Sequence, residues 1–333
     1  MKHLPRAVRV AAALTLVLAA TACGGRQAGG AAEGGHPANG GRLTIATGNT
    51  TGVYYQLGGS LAQQISDHVE GYRATATATG ASVQNVQGIV AGTYDLGFAL
   101  LDTANDAVAG TESFSSPQPV EALARLYPNY TQVLVRADSG ITSVAEMKGK
   151  RISTGSPGSG TEVIARRLLK AAGLDADKDV KAQRLGLPET VDAMKDGTVD
   201  ALFWSGGLPT AGITDLTTSL KGKVRLLDVT PLLGSLQKTY GEVYQPGTLP
   251  AAVYQQPADV PAVIVPNVLL VKKGFDPELA RKVTGLLFDR QAELAQANAS
   301  AKEISPATAG QTGPVPLNPG ARTALTEHGA TVR

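Results

Sequence analysis

A strand-like run that breaks into a glycine-rich turn and re-forms as a helix occurs twice in this chain. The first copy is Arg42-Leu43-Thr44-Ile45-Ala46-Thr47, then Gly48-Asn49-Thr50-Thr51-Gly52, then a helical pattern from Val53 to His68. The second is Lys150-Arg151-Ile152-Ser153-Thr154, then Gly155-Ser156-Pro157-Gly158-Ser159-Gly160-Thr161, then a helix from Glu162 to Ala172 with Gly173 as its stop. The same signature follows each copy: Gly92-Thr93-Tyr94-Asp95-Leu96 leads into Gly97-Phe98-Ala99-Leu100, and Gly197-Thr198-Val199-Asp200-Ala201 leads into Leu202-Phe203-Trp204. Gly48 precedes Gly92 by 44 residues and Gly155 precedes Gly197 by 42. Two βαβα-like units of matched spacing predict two similar α/β lobes rather than a short-period repeat array.

Both turns sit where a strand ends and a helix begins. The backbone N–H groups of a first helical turn have no partner within the helix, and the positive end of the helix dipole lies there too. Such a terminus favours an anion, and glycine lets the ligand come close to the backbone. Thr47, Thr51, Ser156, Ser159 and Thr161 add orientable hydroxyls. One such loop alone reads as a tight turn with an N-cap; two in equivalent places read as a binding feature. Nucleotide phosphate is a weaker fit, because the second turn is not G-x-G-x-x-G in order and neither turn ends in G-K-[ST].

The composition narrows the classes of partner. Thirty basic and 28 acidic residues leave a net charge of +2, and no Lys/Arg cluster follows the first residues, so nucleic acid is not an expected partner. The hydrophobic content of 43% is ample for two cores, while aromatics at 5% leave few stacking platforms. The four histidines, His3, His36, His68 and His328, show no HExxH spacing, and one cysteine excludes CxxC, so neither a metal site nor a cofactor is expected.

That cysteine, Cys23, closes a segment with an export pattern: basic Lys2, Arg6 and Arg9, an apolar run from Val10 to Ala20, then Ala20-Thr21-Ala22-Cys23. A cysteine directly after small residues resembles a bacterial lipobox, with Ala20 where leucine is more common. The expectation is a signal over residues 1–22, a lipid on Cys23 and a flexible Gly/Ala-rich tether over 23–41. The apolar run is too short to span a membrane. The folded part is therefore expected outside the cell membrane, held by the lipid.

Several segments together resemble the TAXI family, solute-binding receptors of tripartite ATP-independent periplasmic (TRAP) transporters. They are Ile45-Ala46-Thr47-Gly48 through Gly52-Val53-Tyr54-Tyr55-Gln56-Leu57-Gly58, Thr79-Gly80-Ala81-Ser82-Val83-Gln84-Asn85, Lys148–Gly155 with Ser156, Gly160 and Thr161, Asp200–Pro209, and Pro316–Ala321. The likeness runs over nearly all of 42–330. Leu100-Leu101-Asp102-Thr103-Ala104 departs from it by being less polar, and the helix around Thr323-Ala324-Leu325 lacks aromatics. The resemblance implies a two-lobed, type II periplasmic-binding-protein-like α/β fold with ligand in the cleft. Lobe one is expected over 42–133 and 272–333 and lobe two over 134–271, with Thr131–Arg136 and Val268–Lys272 as the crossing strands.

On this reading the ligand-binding residues are Thr47, Gly48, Thr51, Gly52, Tyr54, Gly80, Ala81 and Ser82 from lobe one. Lobe two supplies Ser156, Gly158, Ser159, Gly160, Thr161, Trp204, Ser205, Gly206 and Gly207. Tyr54 and Tyr55 compete for the cleft, one facing it and the other the helix surface. Arg125 is the single arginine set to clamp a carboxylate in bidentate fashion. The expected ligand is a small organic anion, an amino acid or a dicarboxylate such as glutamate or 2-oxoglutarate. The expected partner is a TRAP-type membrane permease, and a monomer is expected. The alternatives are a sensor that docks to a membrane signalling partner, and an extracellular enzyme. The enzyme has the weaker case: there is no G-x-S-x-G elbow, no catalytic cysteine and no well-placed histidine base.

Overall fold

A computed structural model describes residues 41–332. The expected export signal, Cys23 and all but the last residue of the tether lie outside the described residues.

The first unit forms β1 (Gly41–Ala46), α1 (Val53–His68), β2 (Tyr72–Thr77), α2 (Ser82–Val90), β3 (Leu96–Leu100) and α3 (Leu101–Ala109). A long strand, β4 (Val120–Arg136), leads to the second unit: β5 (Arg151–Ser153), α4 (Gly160–Ala171), β6 (Lys181–Gln183), α5 (Leu187–Lys195) and β7 (Ala201–Gly206). There follow α6 (Ala211–Ser219), β8 (Val224–Leu226), α7 (Leu233–Tyr240), β9 (Gln245–Leu249) and a second long strand, β10 (Val260–Lys272). The chain closes with α8 (Pro277–Asp289), α9 (Gln291–Ala297), α10 (Pro306–Ala309) and α11 (Pro319–Glu327).

The strands hydrogen-bond in the order β2-β1-β3-β10-β4-β7-β5-β6, with β8 added to β4 and β9 to β10. The two units have the same local order. In the first, β2, β1 and β3 run parallel and meet antiparallel β10; in the second, β6, β5 and β7 run parallel and meet antiparallel β4. β3 and β7 are buried at every position, which suits the apolar runs of inner strands covered on both faces. The helices bury the expected stripes: Val53, Leu57, Leu61 and Ile65 on α1, and Ile164, Ala165, Leu168 and Leu169 on α4. Gly58 lets α1 lie close on β1, because a Cβ there would stand 2.4 Å from Thr47 Cγ2.

The two crossing strands are longer than Thr131–Arg136 and Val268–Lys272. Both change partners at mid-length: β4 pairs with β10 up to Tyr130 and with β7 from Tyr130 onward, while β10 pairs with β9 up to Ile264 and with β3 from Asn267. The segment 267–271, expected with the middle of the chain, is therefore hydrogen-bonded to the first unit, and 130–133, expected with the first, is hydrogen-bonded to the second. Each switch lies at a Pro-Asn step, Pro128-Asn129 and Pro266-Asn267, and the two prolines face each other in register. A proline has no N–H to give a ladder, so it falls naturally where pairing is handed from one neighbour to the next.

Candidate functional site

The turn after β1 and the turn after β5 open onto one cavity. Gly48, Asn49, Gly52, Val53 and Tyr54 line it from the first turn and α1, and Ala81 and Ser82 from the start of α2. Ser156, Ser159, Gly160 and Thr161 come from the second turn and α4, and Trp204, Ser205 and Gly206 from the end of β7. Leu100, Tyr127 and Asn129 complete the lining. The space between its lining atoms is ≈ 450 Å³ with the open mouth included. No lining residue carries a formal charge.

The hydroxyls are oriented by the backbone. Ser159 caps α4 by accepting from Glu162 N at 2.9 Å, and Thr161 Oγ1 accepts from Ser205 N at 3.2 Å. A hydroxyl that accepts one N–H from the backbone keeps its own proton to donate and a second lone pair to accept. Trp204, the single tryptophan, lies against it with Nε1 donating to Thr210 Oγ1 at 3.1 Å. The two adjacent tyrosines separate: Tyr55 is 38% exposed, whereas Tyr54 lines the cavity and stacks on Phe98 with ring centroids 5.1 Å apart. Burial pushes the Tyr54 hydroxyl far above its ordinary range, so it stays protonated.

Six of the expected residues do not line the cavity. Thr47 is fully buried and its hydroxyl donates to Thr77 O at 2.6 Å. Thr51 points its buried hydroxyl, unpartnered among the described residues, toward Gly212, where a Cβ would lie 3.1 Å away. Gly80 and Gly158 work in the contact between the units: a Cβ on Gly80 would meet Pro157 O at 2.8 Å, and Gly158 O accepts from Val83 N and Gln84 N, both at 3.1 Å. Gly207 is packed under Ser300 and Tyr127, where a Cβ would come within 2.4 and 2.8 Å. Arg125 donates to Gln311 Oε1 at 3.1 Å, away from the cavity. The reason lies in the β4 ladder. Arg125 pairs with Val268 and Pro128 with Pro266, so Leu126 and Tyr127 together stand opposite Asn267. That β-bulge breaks the strict alternation that would put Arg125 and Tyr127 on one face.

A buried chain of amides joins the units behind the cavity. Tyr54 donates its hydroxyl to Asn267 Oδ1 at 2.5 Å, Asn129 Nδ2 donates to the same oxygen at 3.0 Å, and Asn267 Nδ2 donates to Tyr127 O at 2.9 Å. Ser205 Oγ donates to Asn129 Oδ1. Asn49 adds a link in front: its Nδ2 donates to Ser156 Oγ at 3.2 Å, and its Oδ1 accepts from Leu187 N at 2.9 Å, capping α5 of the other unit. Sequence reasoning missed Asn49, Val53, Leu100, Tyr127, Asn129 and Asn267. One signal pointed to two of them: a Pro-Asn step in the middle of each of the two most apolar long strands, where an asparagine has no reason to be unless it is paired.

The departure at 100–104 also has a structural role. Asp102 and Asp106 on α3 face Arg167 on α4, which is 3% exposed. Arg167 Nη1 reaches Asp102 Oδ2 at 3.4 Å and Tyr244 Oη at 2.9 Å, Nη2 reaches Asp106, and Tyr244 donates to Asp102 at 2.5 Å. The guanidinium also lies 4.0 Å over the Tyr240 ring. Burial lowers the Arg167 pKa, but Asp102, Tyr244 and Asp106 outweigh it and raise the guanidinium above its usual range. Asp106 moves the opposite way from a simple ion pair: burial pushes it up to about 6 against the pull of Arg167. The two shifts are compatible because one cation serves two buried carboxylates, and the partly solvated one of the pair is left short of compensation.

A model of the NMT1-like family matches residues 45–329. Among solved structures, a protein of Bordetella bronchiseptica RB50 is similar at 19% identity and a TM-score of 0.52, over 86% of this chain and 82% of that one. A binding-protein component of an ABC phosphonate transporter from Pseudomonas aeruginosa is similar at 14% identity and a TM-score of 0.51, over 79% and 80%. The alkanesulfonate-binding protein SsuA from Xanthomonas axonopodis pv. citri, bound to MOPS, is similar at 19% identity and a TM-score of 0.48, over 88% and 86%. The fold is the two-lobed type II fold of periplasmic binding proteins.

Proposed function

This chain belongs to the NMT1-like family, and on that premise we propose that it is an extracytoplasmic receptor that captures a small organic anion between its lobes and delivers it to a membrane transporter. One observation carries the reading: two glycine-rich strand-to-helix turns, one from each unit, face a single cavity whose oriented hydroxyls keep a proton to donate and whose lining has no charged side chain. Such a site holds an anion by neutral dipoles fixed in advance, at helix starts that favour negative charge. The ligand-binding set is then Gly48, Gly52, Tyr54, Ala81, Ser82, Ser156, Ser159, Gly160, Thr161, Trp204, Ser205 and Gly206, joined by Asn49 and Tyr127. The similar binding-protein component of a phosphonate transporter supports this class over an enzyme.

The lobes divide at the two Pro-Asn steps, where β4 and β10 exchange partners, and binding closes a hinge there. The transporter is a TRAP-type permease, as the resemblance of the binding-turn segments implies, and the solute is an amino acid or a dicarboxylate of the size of glutamate or 2-oxoglutarate. A lipid on Cys23 tethers a monomer to the membrane surface, and Cys23→Ser would release the chain from the membrane fraction.

The test is native mass spectrometry of the signal-free chain, followed by a thermal-shift panel of carboxylates, sulfonates and phosphonates. A co-purified organic acid, or a melting point that rises with one panel member by mass action, is the expected result. A chain that no anionic metabolite stabilises is not this receptor.

A further inference from the structure

Tyr127 is fully buried and lines the cavity, yet its hydroxyl has no hydrogen-bond partner among the described residues. Buried polar groups are almost always paired, and leaving one unmade costs more than a typical hydrogen bond gains. The neighbouring groups are already engaged: Asn267 and Asn129 satisfy each other, Tyr54 and Ser205, and Asn267 spends its amide N–H on the Tyr127 carbonyl rather than on its hydroxyl. The β4 bulge gives Tyr127 its inward place, and bulges beside sites commonly re-aim one side chain. Burial also holds the phenol far above its ordinary pKa, so the hydroxyl is a neutral donor at any physiological pH.

The second observation is a missing charge. An α-ammonium group carried into a dry site needs a carboxylate or a full set of acceptors, and the lining holds no Asp or Glu. Ser159 and Thr161 each have one acceptor position taken by a backbone N–H group, and both stand at the start of α4, where the helix dipole disfavours a cation. A zwitterion would bring a cation to helix starts that favour negative charge, with no carboxylate in the lining to meet it.

Resting on the receptor reading, we infer that the solute is an organic acid without an ammonium group, and that the Tyr127 hydroxyl is a specificity-determining contact that donates to an acceptor oxygen of that acid. The Tyr127 hydroxyl meets the oxygen that 2-oxo acids and related anions place where the matching 2-amino acids carry an ammonium, and the lining without Asp or Glu disfavours the latter.

The test uses the mature chain and three matched pairs: pyruvate and alanine, 2-oxoisovalerate and valine, 2-oxoglutarate and glutamate. Binding is read by calorimetry and by melting point, on the parent and on Tyr127→Phe. At least one oxo acid should bind the parent about tenfold or more tighter than its amino partner, and Tyr127→Phe should bind that oxo acid about three- to tenfold more weakly, the size of one net hydrogen bond. The ligand-free Tyr127→Phe chain should melt no lower than the parent, because the lost hydroxyl had no partner. Equal or tighter binding of the amino acids, an unchanged affinity in Tyr127→Phe, or silence from all six probes overturns the inference. The receptor reading falls separately, only if sulfonates, phosphonates and other anionic metabolites also leave the chain unstabilised.

Discussion

Asn129 and Asn267 stand 138 residues apart in sequence, each directly after a proline, and share one hydrogen bond of 3.0 Å between the two strands that serve both units. Asn267 Oδ1 also takes the Tyr54 hydroxyl, and Asn129 Oδ1 takes that of Ser205. The pair therefore ties the first helix of one unit to the last inner strand of the other, through the point where the strands change partners. An amide pair is suited to this place: it fixes the relative position of two backbones without bringing a charge into the core.

Asn267→Leu would leave the Tyr54 hydroxyl, the Asn129 amide and the Tyr127 carbonyl without their present partner. Each buried group stranded costs about 1–3 kcal/mol, with relaxation recovering part, so a loss of about 3 kcal/mol is expected. Urea unfolding measures it. A loss below about 1 kcal/mol would mean the network is not a structural tie.

Removing the guanidinium of Arg167 should be as costly. Arg167→Met strands Asp102, whose side chain is fully buried, and Asp106, at 12% exposure. Breaking such a cluster by removing one partner typically costs about 3–5 kcal/mol. Adding Asp102→Asn and Asp106→Asn to the same chain should recover much of the loss, since the uncompensated charges go with them. The midpoints of denaturant unfolding of the single and triple variants decide this.

Asp106 sets a pH dependence of definite sign. Its folded pKa, pushed up to about 6 chiefly by burial with Asp102 and Glu112 adding to it, lies above the ordinary 3.8, while Arg167 opposes the shift. A group raised on folding contributes stability that is present below its unfolded pKa and is lost as pH rises through the folded one. Between pH 4 and pH 7.5 the parent should therefore lose on the order of 2 kcal/mol relative to Asp106→Asn. Parallel stability curves for the two chains across that window would refute the assignment.

Gly160 leads α4 into the contact between the units. A Cβ there would stand 2.5 Å from Leu100 Cδ1 and 2.6 Å from Ser82 Oγ. Gly160→Ala should hold the units apart, weakening ligand binding by tenfold or more, while α4 itself gains from alanine's better propensity. Small-angle scattering should show a larger radius of gyration for the variant in the presence of ligand. Unchanged affinity and radius would show that the contact yields.

Trp204 provides the readout. It is the single tryptophan, 8% exposed, and it lines the cavity with its indole N–H held by Thr210. Ligand entry should change its emission in intensity or wavelength, saturating with the same affinity as calorimetry, and Trp204→Phe should abolish the signal. A ligand that binds by calorimetry with no change in emission would lie elsewhere.

The alternation of strand, glycine-rich turn and helix was legible from the chain itself. Strand burial, helical stripes and turn chemistry are set by neighbours a few residues away, so α1 falls on Val53–His68 as its pattern predicts and both turns stand at helix starts. The duplicated spacing likewise carried the two-unit architecture. Tertiary structure decided what those turns face and which residues join them. Asn49 caps a helix 138 residues away, Asp102 meets an arginine 65 residues on, and Tyr127 enters the cavity while Arg125 leaves it. The first two depend on which elements the sheet order brings together, and the third on one extra residue in a ladder between strands far apart in sequence. A polar side chain's role is fixed by the partner that pays its desolvation, and for these residues the partner exists only once β4 and β10 have crossed between the units.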